Sequence, residues 1–223
     1  MPATFGSRMY RFYTTLTAPR LPRGVVAMNP YVAAETRRLF RAYLDRYYAD
    51  ATPRTLAIGI NPGRFGAGVT GIAFTDPVAL ADFCGIPNDY ARRRELSSEF
   101  VYEFIEAFGG VQAFTRKAFL SAAAPLGFTR GGVNLNYYDV PALAKACTPF
   151  IEMSMERQIA CGGRRDYAVV LGTGKNYEFL RKLNEKRGWF ERLVAVDHPR
   201  FIMQYRRKKV RDYVAKYVEA FAP

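Results

Sequence analysis

The sequence predicts an α/β fold in which a parallel sheet carries helices on both faces. Four short apolar runs, at 55–60, 131–136, 166–172 and 192–197, have the length and glycine punctuation of buried strands. The stretches between them place apolar residues at helical spacing, and strands that alternate with helices assemble into a parallel sheet covered on both sides. The chain has 223 residues, 49% of them hydrophobic, which suits one domain with a real core and excludes a disordered protein.

The elements follow in order. Residues 1–30 mix Tyr, Phe, Thr and Pro without a period, and Pro19, Pro22 and Gly24 mark a loop. An N-terminal arm or short helix packed on the domain is expected there, with the whole chain, 1–223, as a single domain. Pro30 opens a helix over 31–48, with Val32, Leu39, Phe40, Tyr43, Leu44 and Tyr47 at helical spacing. The first core strand, Thr55 to Ile60, breaks into a loop with four glycines, Gly63, Gly66, Gly68 and Gly71. A short helix over 78–84 and a charged, exposed segment over 89–95 come next. Residues 98–108 read as a helix with Phe100, Val101, Phe104, Ile105 and Phe108 on one face, ended by Gly109-Gly110. Residues 111–124 read as helical and irregular pieces, and 131–136 as the second strand. Thr148-Pro149 has the cap-then-proline chemistry of a helix start, and that helix runs to Ala160. The third strand turns at Gly172-Thr-Gly-Lys175 into a helix through Lys186. The fourth strand precedes a final helix over 204–221.

Composition narrows the partner. The net charge is +13, which favours a polyanion. From His198 to Lys216 seven residues are Lys or Arg and one, Asp212, is acidic. Such a cluster reads as a phosphate-binding rim. Three scattered cysteines, Cys84, Cys147 and Cys161, without C-x-x-C, make neither a disulfide framework nor a zinc site. No apolar run could cross a bilayer, and the N-terminus lacks signal-peptide architecture. A soluble, cytoplasmic protein is expected.

The glycine loop carries the chemistry. Gly66-Ala-Gly-Val-Thr-Gly71 matches a dinucleotide fingerprint literally, but Asn61 to Phe65 separate it from the strand and no long helix follows. Gly63 to Thr70 imitates a phosphate loop with Val69 where the lysine belongs. Neither nucleotide reading stands. Gly59-Ile-Asn-Pro-Gly-x-Phe-Gly, then Thr-Gly-x-x-Phe, resembles the first active-site motif of the uracil-DNA glycosylase superfamily. The likeness is greatest to its single-strand-selective monofunctional branch, in the bacterial second type. That family's second motif, His-Pro, is matched by His198-Pro199, and His198 is the chain's one histidine. The likeness is strongest over 55–77 and looser elsewhere.

The resemblance implies a three-layer α/β/α sandwich with a central four-stranded parallel sheet. It implies that Asn61 positions the hydrolytic water, a task that other branches give to an Asp. His198 would donate to O2 of the departing base and stabilise its negative charge. Phe74, thirteen residues after Asn61, matches the base-stacking aromatic. Asn134 matches the pyrimidine-reading amide, with Asn136 one strand period away as its competitor. Gly63 and Ala67 would line the position of the pyrimidine C5 and leave room for a substituent.

Phe201, Ile202 and Met203 would form an apolar wedge that fills the gap left by a flipped nucleotide. Here the chain departs from the commoner His-Pro-Ser-Pro form, since Arg200-Phe201 follow Pro199. Arg200, Arg206, Arg207 and Lys208 would face DNA, and Thr173 and Lys175, at a helix start, suit a phosphate. Branches with an iron–sulfur cluster need four cysteines, which this chain lacks. No lysine matches a Schiff-base nucleophile. The expectation is a monomeric, monofunctional DNA glycosylase of base-excision repair, acting on uracil and other deaminated or oxidised bases, without metal or organic cofactor. Two rivals stay open: a catalytically silent nucleic-acid-binding protein on the same fold, and a nucleoside or nucleotide hydrolase.

Overall fold

A computed structural model describes residues 3–222. The helices are α1 (Phe5–Thr14), α2 (Ala34–Tyr47), α3 (Ala67–Thr70), α4 (Pro77–Asp82), α5 (Leu96–Ala107), α6 (Val111–Lys117), α7 (Pro141–Ala160), α8 (Lys175–Arg187), α9 (Pro199–Tyr205) and α10 (Val210–Phe221). The strands are β1 (Val25–Met28), β2 (Thr55–Gly59), β3 (Ala118–Ala122), β4 (Gly127–Arg130), β5 (Val133–Leu135), β6 (Tyr167–Leu171) and β7 (Arg192–Val196).

Four strands form the central parallel sheet in the order β3-β2-β6-β7, and helices flank it to make a three-layer α/β/α sandwich. Every residue of β2, β3 and β6 is buried. Strands covered on both faces read as continuous apolar runs rather than as alternation. Ile58 pairs beside Ser121 on one side and Val170 on the other, and Leu171 pairs with Val196. The C-terminal ends of β2, β6 and β7 therefore lie side by side. Asn61, Thr173 and His198, which follow those ends, share one rim of the sheet, where open α/β sheets build their sites.

The second central strand differs from the expected one. It is β3, in the stretch read as helical and irregular. Ala-Phe-Leu-Ser-Ala lacks the β-branched residues that mark a strand, and it follows α6 without a Gly or Pro break. Residues 131–136 instead contribute β5 to a separate antiparallel sheet of order β1-β4-β5. Gly131-Gly132 is the turn of the β4–β5 hairpin, not the start of a strand.

Other boundaries move for stated reasons. The helix assigned to Thr148-Pro149 begins at Pro141, and Pro149 lies inside it. The Thr148 hydroxyl donates to the Ala144 carbonyl at 2.8 Å instead of capping. Helix α7 runs through its proline because Leu143, Cys147, Phe150, Ile151 and Met155 are all buried in the core. The last helix is two, α9 and α10, parted by a 3-10 turn at Arg207–Lys209. That basic run has no apolar side chain to bury. The N-terminal arm holds α1, whose Phe5, Met9 and Phe12 are in the core, then the loop around Pro19, Pro22 and Gly24, and after it a strand, β1, that the sequence does not announce.

One hydrophobic cluster extends from Phe5 to Phe221. Arg54, 1% exposed, enters it just before β2. Its guanidinium donates to the Thr115 carbonyl at 2.7 Å and to Asp50 at 2.8 Å, and lies against the packed rings of Phe5 and Tyr48. The ion pair holds the Asp50 carboxyl down at about 2. No helix among the described residues is long and apolar enough to cross a membrane.

Candidate active site

Asn61 stands two residues beyond β2, and its amide is fixed from both ends. Nδ2 donates to the Leu135 carbonyl at 3.1 Å, and Oδ1 accepts the Tyr137 N–H at 3.0 Å. The orientation of the amide is thereby determined, because an N–H and a carbonyl cannot exchange roles. The second lone pair of Oδ1 has no protein donor assigned to it and is available to a water.

His198 caps α9. Its Nδ1 accepts the Arg200 N–H at 3.2 Å, so a neutral ring carries its proton on Nε2. Burial of the ring, helped by the Arg200 charge, pulls its pKa down to about 4. The imidazole is therefore a neutral donor at physiological pH. It opens into a cavity of about 230 Å³ lined also by Ile60, Tyr138, Thr173, Lys175 and Phe201. The sheet end thus brings Thr173, Lys175 and His198 together. Phe74 lies 6.1 Å from the His198 ring, centroid to centroid. It has φ of 55°, a left-handed conformation that a bulky residue adopts only where its surroundings impose it. The ring fills the space beside Gly59, where a β-carbon would stand 2.5 Å from Phe74 Cζ.

The amide of Asn134 projects from β5 toward the glycine loop. Its Nδ2 is 3.7 Å from the place a β-carbon on Gly63 would take. Its Oδ1 is buried and has no hydrogen-bond partner. Asn136 is held elsewhere: its N–H and its Nδ2 donate to the Asp139 carboxylate, at 2.8 and 3.4 Å. Of the two, Asn134 has the buried acceptor without a partner. Ala67, the first residue of α3, is buried at 7%, and Gly68 N–H closes the loop on the Gly63 carbonyl at 2.8 Å. Among the described residues, no three of His, Cys, Asp and Glu converge as metal ligands. A larger groove of about 590 Å³ between β7 and α10 holds none of the motif residues.

The family described as the uracil DNA glycosylase superfamily matches residues 46–222 of this chain. The chain belongs to that superfamily. It is also similar to the solved structure of wild-type SMUG2 from Pedobacter heparinus, with 43% identity and a TM-score of 0.95 over 98% of this chain and 97% of that one. No curated protein matches it.

The rim of this uracil-DNA glycosylase fold departs from the expected wedge. Ile202 and Met203 are 0% and 5% exposed, buried where α9 packs on α5, so neither belongs to an apolar tip. Helical winding turns them inward, and one turn apart on the outer face stand Phe201 and Tyr205, 37% and 60% exposed. Their rings lie 5.5 Å apart, and the Arg206 guanidinium covers Phe201 at 5.3 Å. Arg200 and Lys208 are exposed, whereas Arg207 is paired with Glu99 at 2.7 Å.

Several neighbours of the site were not legible as such. The main chain of Leu135 and Tyr137 holds Asn61, and no residue type signals a backbone role. The segment after β2 adds a second cationic edge: Arg64 and Arg93 lie 4.5 and 3.4 Å from the Phe65 ring, and Arg64 donates to the Gly132 carbonyl of the hairpin turn. Glu95, in the segment expected to be exposed, turns inward against the same loop.

Proposed function

We propose that this chain is a monofunctional DNA glycosylase that hydrolyses the N-glycosidic bond of uracil, and of other deaminated or oxidised bases that fit, in base-excision repair. The observation that carries the reading is the buried, partnerless Oδ1 of Asn134, beside an Nδ2 donor and next in sequence to the carbonyl that fixes Asn61. An unmatched buried acceptor costs about 1–3 kcal/mol. A uracil edge supplies what is missing: its N3–H donates to Asn134 Oδ1, and its O4 accepts from Nδ2. Cytosine offers the reverse pattern at both atoms.

Catalysis then follows from the fixed groups. Asn61 Oδ1 holds a water by its free lone pair. The C1′–N1 bond breaks with its electron pair going to the base, and His198 Nε2–H stabilises the charge gathered on O2. Water oxygen bonds to C1′ and releases its proton to solvent or base. An amide is no strong base, so the departing anion must be well stabilised, and a neutral imidazole does this without competing for a proton. Phe74 supplies a planar wall for the base. Phe201 with Tyr205 fills the vacated stack, and Arg200, Arg206, Lys208, Thr173 and Lys175 meet the backbone. The protein acts on DNA in the cytoplasm as a monomer.

Incubation with a uracil-containing oligonucleotide, followed by alkali, tests the reading. Strand scission is expected only after alkali, and borohydride should trap no covalent adduct through Lys175. Asn61→Ala and His198→Ala should each lower the rate about a hundredfold. Binding without cleavage would favour the silent nucleic-acid-binding protein, and cleavage of free deoxyuridine alone would favour the nucleoside hydrolase.

A further inference from the structure

Glu95 occupies the N-cap position of α5, yet its side chain makes no bond to that helix. It turns instead onto the loop after β2. A β-carbon on Gly66 would stand 2.3 Å from Glu95 Oε2 and 2.9 Å from Cδ, and one on Gly63 would stand 3.1 Å from Oε1. The carboxyl thus fills the room that two of the loop glycines leave, and it meets Gly63, which Asn134 also approaches. The main-chain N–H groups of Phe65 and Gly66 lie on that side of the loop and favour its charged form.

The frame behind it is rigid. Glu95 N–H donates to Asp76 Oδ2 at 2.8 Å. Asp76 is 2% exposed, and its other oxygen caps α4 through the Ala79 N–H at 2.8 Å. The carboxyl therefore hangs from a buried anchor rather than from a free loop.

We propose that Glu95 is the positioning residue of the base pocket: its carboxylate clamps the Gly63–Gly66 turn and sets the wall against which the base is seated. Glycine-rich backbone has the most conformational freedom to lose on ordering. Successive main-chain N–H groups are a ready cradle for an anion, and here the protein supplies its own. The catalytic consequence rests on the glycosylase reading above; the clamp itself does not.

The clamp depends on pH. Burial raises the Glu95 pKa, the Phe65 N–H lowers it, the nearby Asp76 raises it further, and Arg200 and the Gly66 N–H oppose that. The carboxylate is lost as pH falls through a value above the ordinary 4.5. His198 takes up its proton lower, at about 4.

Two variants and two readouts test the proposal. Amide hydrogen exchange at Phe65 and Gly66, measured by NMR at pH 7 on the free protein, should quicken about tenfold or more in Glu95→Ala and much less in Glu95→Gln, which keeps one acceptor. In single-turnover cleavage of a uracil-containing oligonucleotide, Glu95→Ala should lose about tenfold or more at saturating enzyme, with affinity for undamaged DNA unchanged. Glu95→Gln should recover most of the rate, and its acid limb should move down to that of His198. Wild-type exchange and a wild-type pH profile in both variants would overturn the clamp. A wild-type protein that cleaves no uracil DNA would sink the glycosylase reading instead, and the exchange rates would still decide the clamp.

Discussion

Asn61→Asp exchanges one amide nitrogen for an oxygen, and the structure predicts that it slows the reaction. A carboxylate is the stronger base, so chemistry alone would favour the variant. The packing opposes it. Asp at this position keeps the bond from Tyr137 N–H, but it faces the Leu135 carbonyl with an oxygen where Nδ2 now donates at 3.1 Å. A buried acceptor without a donor costs about 1–3 kcal/mol, and because Asn61 is half-buried the lower part of that range applies. At about 1.36 kcal/mol per decade, that is roughly five- to thirtyfold in any step that needs the native arrangement. The carboxyl can escape by binding a proton on that oxygen and donating it to Leu135, which raises its folded-state pKa. A protonated carboxyl is no base.

The sign is then fixed. A folded-state pKa raised above the unfolded value of about 3.9 means that the variant's deficit is absent at low pH and appears as pH rises through the raised pKa. Urea unfolding of wild type and Asn61→Asp between pH 4 and 8 measures this directly. The variant should match wild type near pH 4 and fall behind by about 1–2 kcal/mol at pH 8. Single-turnover cleavage at pH 7 should be at least several-fold slower. An Asn61→Asp enzyme that equals wild type in stability at pH 8 and cleaves faster would refute the reasoning.

Three further outcomes are expected. His198 has a folded-state pKa lowered from 6.5 to about 4, so the unfolded chain binds its proton first; the stability it withholds, of order 3 kcal/mol, is lost as pH falls from about 6.5 to about 4, and His198→Gln should flatten that part of the urea-midpoint profile. Ile202→Ala should cost about 2–5 kcal/mol in urea unfolding, whereas Phe201→Ala should leave stability near wild type and weaken cleavage of duplex more than of single strands. Arg206→Ala and Lys208→Ala should each reduce the slope of log affinity against log salt on single strands by about 0.7, and Arg207→Ala, already paired with Glu99, should reduce it less.

What could be read from the sequence divides along the range of the interactions. Asn61, Gly63, Ala67 and Phe74 lie in one short stretch, and His198-Pro199 is contiguous, so their pattern survives without any knowledge of tertiary contacts. The strand β3 was missed because its residues carry no local strand preference; its place is set by pairing with β2, far away in the chain. The Gly131-Gly132 hairpin was misread because Val-Asn-Leu is too short to declare its own partner. Ile202 and Met203 were misassigned although helical period alone separates them from Phe201 and Tyr205. Glu95 was illegible for another reason. Three arginines before it imply a solvated segment, and they are exposed, but the direction of Glu95 is set by Asp76, nineteen positions earlier.

The hairpin that the sequence concealed also couples two tasks. Asn134 and Leu135 are neighbours on β5: the first turns its amide toward Gly63, the second holds Asn61 by its carbonyl. Tyr137, two residues further on, holds the other end of the same amide. On the proposed reading, a base that fits Asn134 steadies the strand that orients the water, and a misfit that pushes β5 aside also turns Asn61. Discrimination then resides in the rate of cleavage as much as in binding. The two residues should not act independently. In a double-mutant cycle of Asn61→Ala and Asn134→Ala, measured on uracil cleavage, the combined loss should fall short of the sum by about 0.5–3 kcal/mol, as for residues in one hydrogen-bond network. Strict additivity would mean that β5 is rigid, and that the base is read and the water held by two separate devices.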